Sequence, residues 1–279
     1  MEEYHIKISR FNPEMDSHPY MKDYNVPRTA ETVLEALIYI YDEIDSTLLF
    51  SYGCRYRVCG RCTIKINGKP SLACETSIRD GMVLEPLDHF PVIRDLGIDR
   101  SGLIDPLRKH KISLSLMEGL DAAIQPPEFF QLIKCNECLS CISDCPVFNQ
   151  GLEYDGPFFG VKIAELHYDV RNRRKLLGYL ESYLEKCILC KRCDTNCPWD
   201  IKFSEICTKI KGELYKRKKT SVRDWLISHP RLVGFLVTSM PFQVNTFFKK
   251  YFVRRMMGKW LGIEERMTLP EYRRISKKL

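Results

Sequence analysis

Cysteine is the residue through which this sequence could do chemistry. Twelve of its thirteen cysteines fall into three tetrads: Cys54-x4-Cys59-x2-Cys62-x11-Cys74, Cys135-x2-Cys138-x2-Cys141-x3-Cys145-Pro146 and Cys187-x2-Cys190-x2-Cys193-x3-Cys197-Pro198. Soft thiolates presented at such intervals by a turning backbone suit iron bridged by sulfide. The last two runs have the spacing whose fourth cysteine serves the other cluster. The expected ligand sets are therefore Cys54, Cys59, Cys62 and Cys74 for a [2Fe–2S] cluster, Cys135, Cys138, Cys141 and Cys197 for one [4Fe–4S] cluster, and Cys145, Cys187, Cys190 and Cys193 for another. Their chemistry is electron transfer. Pro146 and Pro198 each leave the turn without an N–H, and Gly53 and Gly60 are expected to let backbone N–H groups approach the first cluster.

Other uses of cysteine fit less well. Structural zinc usually takes two separated pairs rather than three cysteines at successive two-residue intervals followed by a fourth before proline. Disulfides are disfavoured by the odd count and by an N-terminus, Met1-Glu2-Glu3-Tyr4-His5, without an apolar signal segment, so a reduced, cytoplasmic setting is expected. Cys207, the leftover cysteine, sits among Ile201, Phe203, Ile206 and Ile210 and reads as a buried structural thiol; the six histidines are scattered and read as non-ligands.

The elements that must hold these tetrads divide into three regions. Tyr4, Ile6 and Ile8 alternate as a strand, whereas Val33, Leu34, Leu37, Ile38 and Tyr41 recur as one helix face. Thr63-Ile64-Lys65-Ile66 runs into Asn67-Gly68, a strong hairpin signal. This describes an N-terminal β-grasp ferredoxin domain over residues 1–102. From 103 to 216 Leu176, Leu177, Leu180 and Leu184 repeat at helical intervals between the two similar cysteine runs, and Pro126-Pro127 interrupts the chain; an α-helical two-cluster ferredoxin domain is expected, giving an α+β protein. Residues 217–279 form a basic helical extension. Residues 216–279 carry sixteen Lys/Arg against four Asp/Glu, whereas the whole chain is only +7. Val244, Phe247, Phe248, Tyr251 and Phe252 follow a helical stripe with Lys249, Lys250, Arg254 and Arg255 off it, which reads either as a helix packed on its own domain or as a docking face or contact with an anionic membrane surface, in preference to nucleic acid. The longest apolar candidate, 232–240, is about half the length of a membrane span.

Three further segments narrow the reading: Gly53-Cys54-Arg55 to Val58-Cys59-Gly60-Arg61-Cys62, Ile66-Asn67-Gly68-Lys69-Pro70 to Leu72-Ala73-Cys74, and Pro91-Val92-Ile93-Arg94-Asp95-Leu96. With the order of the three motifs, the chain over 2–211 resembles the iron–sulfur subunit of succinate dehydrogenase and fumarate reductase. The resemblance implies a separate FAD-bearing flavoprotein subunit that interconverts succinate and fumarate while this subunit conducts electrons, with no flavin and no catalytic residue of its own. No GxGxxG loop or Ser/His/Asp set argues otherwise. Cys190 departs from the family pattern: it fills the position whose absence elsewhere leaves a [3Fe–4S] cluster. Val147-Phe148-Asn149 and Ile188 replace the tryptophan segment and histidine of quinone-reducing members, which counts against a conventional quinone pocket, and Arg57 stands where glycine is frequent.

The tail adds a second resemblance. His229-Pro230, Gly234, Pro241, Asn245, Val253-Arg254-Arg255, Leu261-Gly262-Ile263 and Leu269-Pro270 look like the segment that follows two-cluster domains in lactate, glycolate and glycerol-3-phosphate oxidation proteins and in thiol:fumarate reductase. There a cysteine-rich CCG domain of the heterodisulfide reductase kind comes next; here it is expected as a separate subunit. The leading expectation is a succinate dehydrogenase or fumarate reductase subunit wired to that CCG partner, at the inner face of the cell membrane or in the cytoplasm, with a quinone or a thiol/disulfide as far couple. The alternatives are a wiring subunit of a heterodisulfide-reductase-like complex serving another flavoprotein, or a free ferredoxin.

Overall fold

The computed structural model describes residues 3–115, 124–148, 150, 154–174, 176–217, 225–226, 228–261, 264 and 266–273. The chain divides into two compact units, 1–212 and 213–279.

In the first unit, β1 (Glu3–Arg10) pairs antiparallel with β2 (Tyr20–Pro27) and parallel with β5 (Met82–Glu85), while β3 (Thr63–Ile66) and β4 (Lys69–Leu72) form a hairpin whose β3 pairs with β5. The sheet order is β2-β1-β5-β3-β4. Asn67 and Gly68 take φ of 51° and 76°, and Ile66 pairs with Lys69, as a two-residue primed turn requires. Helix α1 (Val33–Tyr39) starts at a Thr32/Glu35 capping box and buries Val33, Leu34 and Leu37 against Ile6, Ile8 and Leu84. The expected helix face fails at Tyr41, which is exposed. A wider i→i+5 turn over Ile40–Ile44 adds a residue to the turn, so Ile40 takes the buried position instead.

One end of this domain is tied together by charge. Arg10, at the end of β1, is buried and donates to Asp95 Oδ1 at 2.8 Å and to Asp45 Oδ2 at 2.6 Å. Asp95, in the turn between β6 (Val92–Arg94) and β7 (Gly97–Ile98), also accepts from the N–H of Phe11 and of Leu49. Burial alone would raise the Asp45 carboxyl, but hydrogen bonds from Lys22, Thr47, Tyr24 and Arg10 hold it well below the usual carboxylate range. Asp45 and Leu49 flank the start of the segment that leads into the first cysteine loop, so this cluster anchors that loop's base.

The helical part contains α2 (Asp105–Lys109), α3 (Pro127–Leu132), α4 (Ser140–Ser143), α5 (Gly156–Tyr168), α6 (Leu177–Lys186), α7 (Arg192–Thr195) and α8 (Phe203–Arg217). Pro126-Pro127 begins a helix rather than merely interrupting one: Pro127 occupies the first turn of α3, where a missing N–H costs nothing. Leu176, Leu177, Leu180 and Leu184 are all buried. A Cβ on Gly160 of α5 would lie 2.4 Å from the Tyr183 ring, so glycine there lets α6 pack its tyrosine against α5.

The second unit holds α9 (Pro230–Ser239), α10 (Pro241–Phe248) and α11 (Tyr251–Leu261). The single aromatic stripe expected from Val244 to Phe252 is broken at Lys249-Lys250. Val253 of α11 is buried, while Phe247, Tyr251 and Phe252 are exposed. The Asn245 side chain donates to the main-chain O of Tyr272 and accepts from its N–H, which pins the following segment back onto α10. Gly262, Ile263 and Asn149, singled out in the sequence, lie outside the described residues. Among the described residues no helix is long and apolar enough to cross a membrane.

Candidate iron–sulfur cluster sites

The two similar cysteine runs fold alike. Glu137 and Leu139 in one, and Leu189 and Lys191 in the other, take φ of 58°, 69°, 54° and 65° at matching positions. Each pair of left-handed residues bends the loop between cysteines, and the second of each pair precedes a one-turn helix, α4 or α7. The C-terminal ends of these two helices meet, with Asn196 Nδ2 donating to Asp144 Oδ2 at 2.7 Å.

The folding of the runs brings cysteines together across, not along, the sequence. One cavity is lined by Cys135, Cys138, Cys141 and Cys197, with Phe158, Val161, Trp199 and Phe203 as walls. A second is lined by Cys145, Cys187, Cys190 and Cys193, with Tyr154, Tyr183, Phe203 and Cys207. Cys141 and Cys193 line both, so the cavities adjoin. In the first tetrad Cys54 Sγ accepts from the N–H of Tyr56 and of Cys59 at 3.3 and 3.2 Å, and the Cys62 and Cys74 thiols are hydrogen-bonded to each other. All thirteen thiols are free of disulfides.

The first loop packs on the second run. A Cβ on Gly60, whose φ is +64°, would lie 2.8 Å from Cys138 Cα and 2.9 Å from Asn136 O. Gly60 therefore serves the approach of one cysteine loop to another, a role beyond the cluster contact expected of it. Gly53 does belong to its own site: a Cβ there would meet Cys59 Sγ at 3.2 Å. Asn136 Nδ2 donates to the main-chain O of Arg57, and Arg100 Nη1 to that of Glu137.

The donor sets of the two cavities fit iron–sulfur groups, each with four sulfurs and apolar and aromatic walls, and the first tetrad offers four sulfurs paired by hydrogen bonds in a more open loop. Burial pushes the thiols of Cys135 and Cys62 up, to about 11 and about 12, and that of Cys141 well above its ordinary value. Such thiols are neutral until a metal displaces the proton. Two thiols go the other way. Backbone N–H groups of Cys59 and Tyr56 bring Cys54 down to about 7, and a hydrogen bond from Cys207 brings Cys187 down to about 6. Cys207 is buried, as its apolar neighbours imply, but it also borders the third tetrad. Tyr154 and Tyr183, whose hydroxyls lie 2.7 Å apart beside the same tetrad, carry no signal in the sequence, because their meeting depends on the packing of α6 against α5. Trp199 is legible there only as the neighbour of Cys197-Pro198.

Comparison with known proteins agrees with this geometry. The family of 2Fe-2S iron-sulfur cluster binding domains matches residues 5–105, and the 4Fe-4S dicluster domain family matches residues 131–201. Together they fit one [2Fe–2S] and two [4Fe–4S] clusters. A subunit of the fumarate reductase (CoM/CoB) of Methanothermobacter marburgensis is 35% identical over 201 residues, covering 70% of this chain and 41% of that protein. This chain thus spans about two fifths of that relative's length. The fumarate reductase iron-sulfur subunit of Mycobacterium tuberculosis is 36% identical over 211 residues, covering 69% of this chain and 85% of that one. A chain of the Mycobacterium smegmatis Sdh1 complex in the apo form shares the fold, with a TM-score of 0.68 over 77% of this chain and 97% of that chain at 24% identity.

Proposed function

This chain belongs to the iron–sulfur subunit family of fumarate reductases and succinate dehydrogenases, and from that premise we propose that it conducts electrons between an FAD-bearing flavoprotein subunit and a CCG-type subunit. In this reading Cys54, Cys59, Cys62 and Cys74 hold a [2Fe–2S] cluster, Cys135, Cys138, Cys141 and Cys197 a [4Fe–4S] cluster, and Cys145, Cys187, Cys190 and Cys193 another. When bound, these groups supply reversible one-electron transfer over a wide range of potentials. The protein's own part is to hold sulfur ligands in sequence, shield them with apolar walls and present the two ends.

The continuity of the sulfur sites carries this reading. Gly60 brings the first loop onto Cys138, and Cys141 and Cys193 border both remaining cavities, so the first cysteine loop packs on the second run and the two cavities adjoin. Both ends reach solvent. Tyr56 in the first loop is 83% exposed and Ile188 in the last is 63% exposed, whereas Cys138 is 8% exposed. The flavoprotein is assigned to the Cys54 loop and the far couple to the Cys190 loop. The relative named for CoM and CoB favours a thiol/disulfide as that couple. Phe235, Phe242, Phe247, Tyr251 and Phe252, all exposed on a strongly cationic segment, supply a surface on which the CCG subunit can dock.

Purification of the native complex tests the assignment. A flavoprotein and a CCG subunit should co-purify, and fumarate should reoxidise the reduced complex. Partners of that kind without any response to fumarate would move the chain to a heterodisulfide-reductase-like complex serving another flavoprotein; no CCG subunit at all would refute the far-end assignment.

A further inference from the structure

Trp199 Nε1 is buried and meets no hydrogen-bond acceptor among the described residues. An indole N–H can only donate, and a buried donor left unpaired is destabilising. Trp199 lines the cavity of Cys135, Cys138, Cys141 and Cys197, directly after Cys197-Pro198. The unpaired donor therefore belongs to a side chain that lines the sulfur site.

Arg57 holds the same indole from the first cysteine loop. Its guanidinium lies 5.7 Å from the Trp199 ring centroid, donates to the main-chain O of Pro198 and pairs with Glu75 Oε1 at 2.8 Å, while the Arg57 carbonyl accepts from Asn136 Nδ2 at 3.2 Å. Each partner adjoins a cysteine: Glu75 follows Cys74, Pro198 follows Cys197, and Asn136 follows Cys135. Arg57 does this at φ +64°, a conformation that favours glycine, the residue frequent at this position in the family it resembles. Arg57 thus joins the first tetrad, through its side chain, to Pro198 beside Cys197 and, through its carbonyl, to Asn136 beside Cys135.

We propose that the Trp199 indole N–H donates a hydrogen bond to sulfur of the [4Fe–4S] group held by Cys135, Cys138, Cys141 and Cys197, and that Arg57 is the positioning residue that fixes the indole for it. This rests on the ligand assignment above. Reduction adds negative charge to the cluster sulfurs, so a donor aimed at them stabilises the reduced form and raises the potential of that site alone. Arg57 adds its cation nearby and ties the indole to the loop from which electrons are proposed to arrive.

The test is an EPR-monitored redox titration of the full-length, cluster-loaded chain. Trp199→Phe keeps the ring and removes the donor. It should make reduction of the middle site about tenfold less favourable, roughly 59 mV for a one-electron couple, with iron content and the other two potentials unchanged. Arg57→Gln should shift the same site in the same direction by less, and Arg57→Lys should restore part of it. A loaded middle site whose potential does not move in Trp199→Phe, or a shift shared equally by all three sites, overturns the proposal while leaving the ligand assignment intact. A wild-type chain without a [4Fe–4S] signal from that site overturns both. The unmutated protein labelled with indole-15N tryptophan gives a reading independent of any variant's folding: pulsed EPR should show 15N coupling at the reduced middle cluster, and its absence contradicts the hydrogen bond.

Discussion

The Cys135 and Cys187 runs share a backbone and differ in what covers them. Leu139 and Ile142 of the first run are buried with Leu87, Ile98 and Phe158, and Ser143 Oγ accepts from the N–H of Asp88, so this run lies beneath the β-grasp domain. At the matching positions of the second run Lys191 and Thr195 are exposed, Asp194 is buried but accepts from the N–H and hydroxyl of Ser204 rather than packing on the β-grasp domain, and Cys190 is exposed. The spacing of cysteines determines what each loop can bind, whereas the residues between them determine whether the site is internal or faces a partner. A relay needs one of each.

The sharpest way to break this comparison is to remove a ligand from the open run. Cys190→Ser should convert or weaken only the site of Cys145, Cys187 and Cys193, leaving about nine of ten irons and a [3Fe–4S] signal while the other two centres remain. Loss of the [2Fe–2S] signal in a folded protein would contradict the separation of the runs.

The covered run depends on what covers it. Asp95→Ala removes one of the two carboxylates that pair with buried Arg10, and should lower the stability of the β-grasp domain by about 3 kcal/mol, read as an earlier thermal transition. Gly60→Ala places a methyl against Cys138 and Asn136 at positive φ. It should cost about 1–3 kcal/mol and slow electron passage from the first to the second site, with the third site's spectrum unchanged. Stopped-flow reduction followed at each cluster's absorbance distinguishes the two, because Asp95→Ala acts on stability and Gly60→Ala also on the contact between loops.

The smallest expected effect is one of pH. Asp169 accepts from Arg171 and from Gln125 Nε2, which joins the end of α5 to the chain entering α3, and the Arg171 hydrogen bonds bring its carboxyl down to about 2. An unfolded aspartate titrates at about 3.9, so the folded state gains from Asp169 fully above that pH and loses the gain as the pH falls toward 2. Comparing acid unfolding of the wild type and Asp169→Asn should show a difference above pH about 4 that vanishes near pH 2. A difference that persists there would mean Asp169 does not act through its charge.

Much of this arrangement is legible in the sequence because it is local. The intervals between cysteines, the Asn67-Gly68 turn and the leucines of α6 act over a few residues. The contrast of Leu139 and Ile142 with Lys191 and Asp194 is likewise visible as a difference in polarity between otherwise similar runs. What escapes depends on distant partners. Arg10 breaks the strand pattern because Asp45 and Asp95 neutralise it from other loops. Tyr41 loses its place because the turn after α1 widens, and the tail's stripe breaks where two lysines interrupt the helix. Trp199 gains its significance from Arg57, which is distant in sequence.

The central claim is that all twelve cysteines of the three tetrads hold iron, with Cys190 completing the last site. Iron and sulfide analysis of the native, anaerobically purified chain together with EPR tests it most directly. About ten irons, one [2Fe–2S] signal and two [4Fe–4S] signals are expected from the cluster formulae. A fully loaded protein with about nine irons and a [3Fe–4S] signal would contradict it.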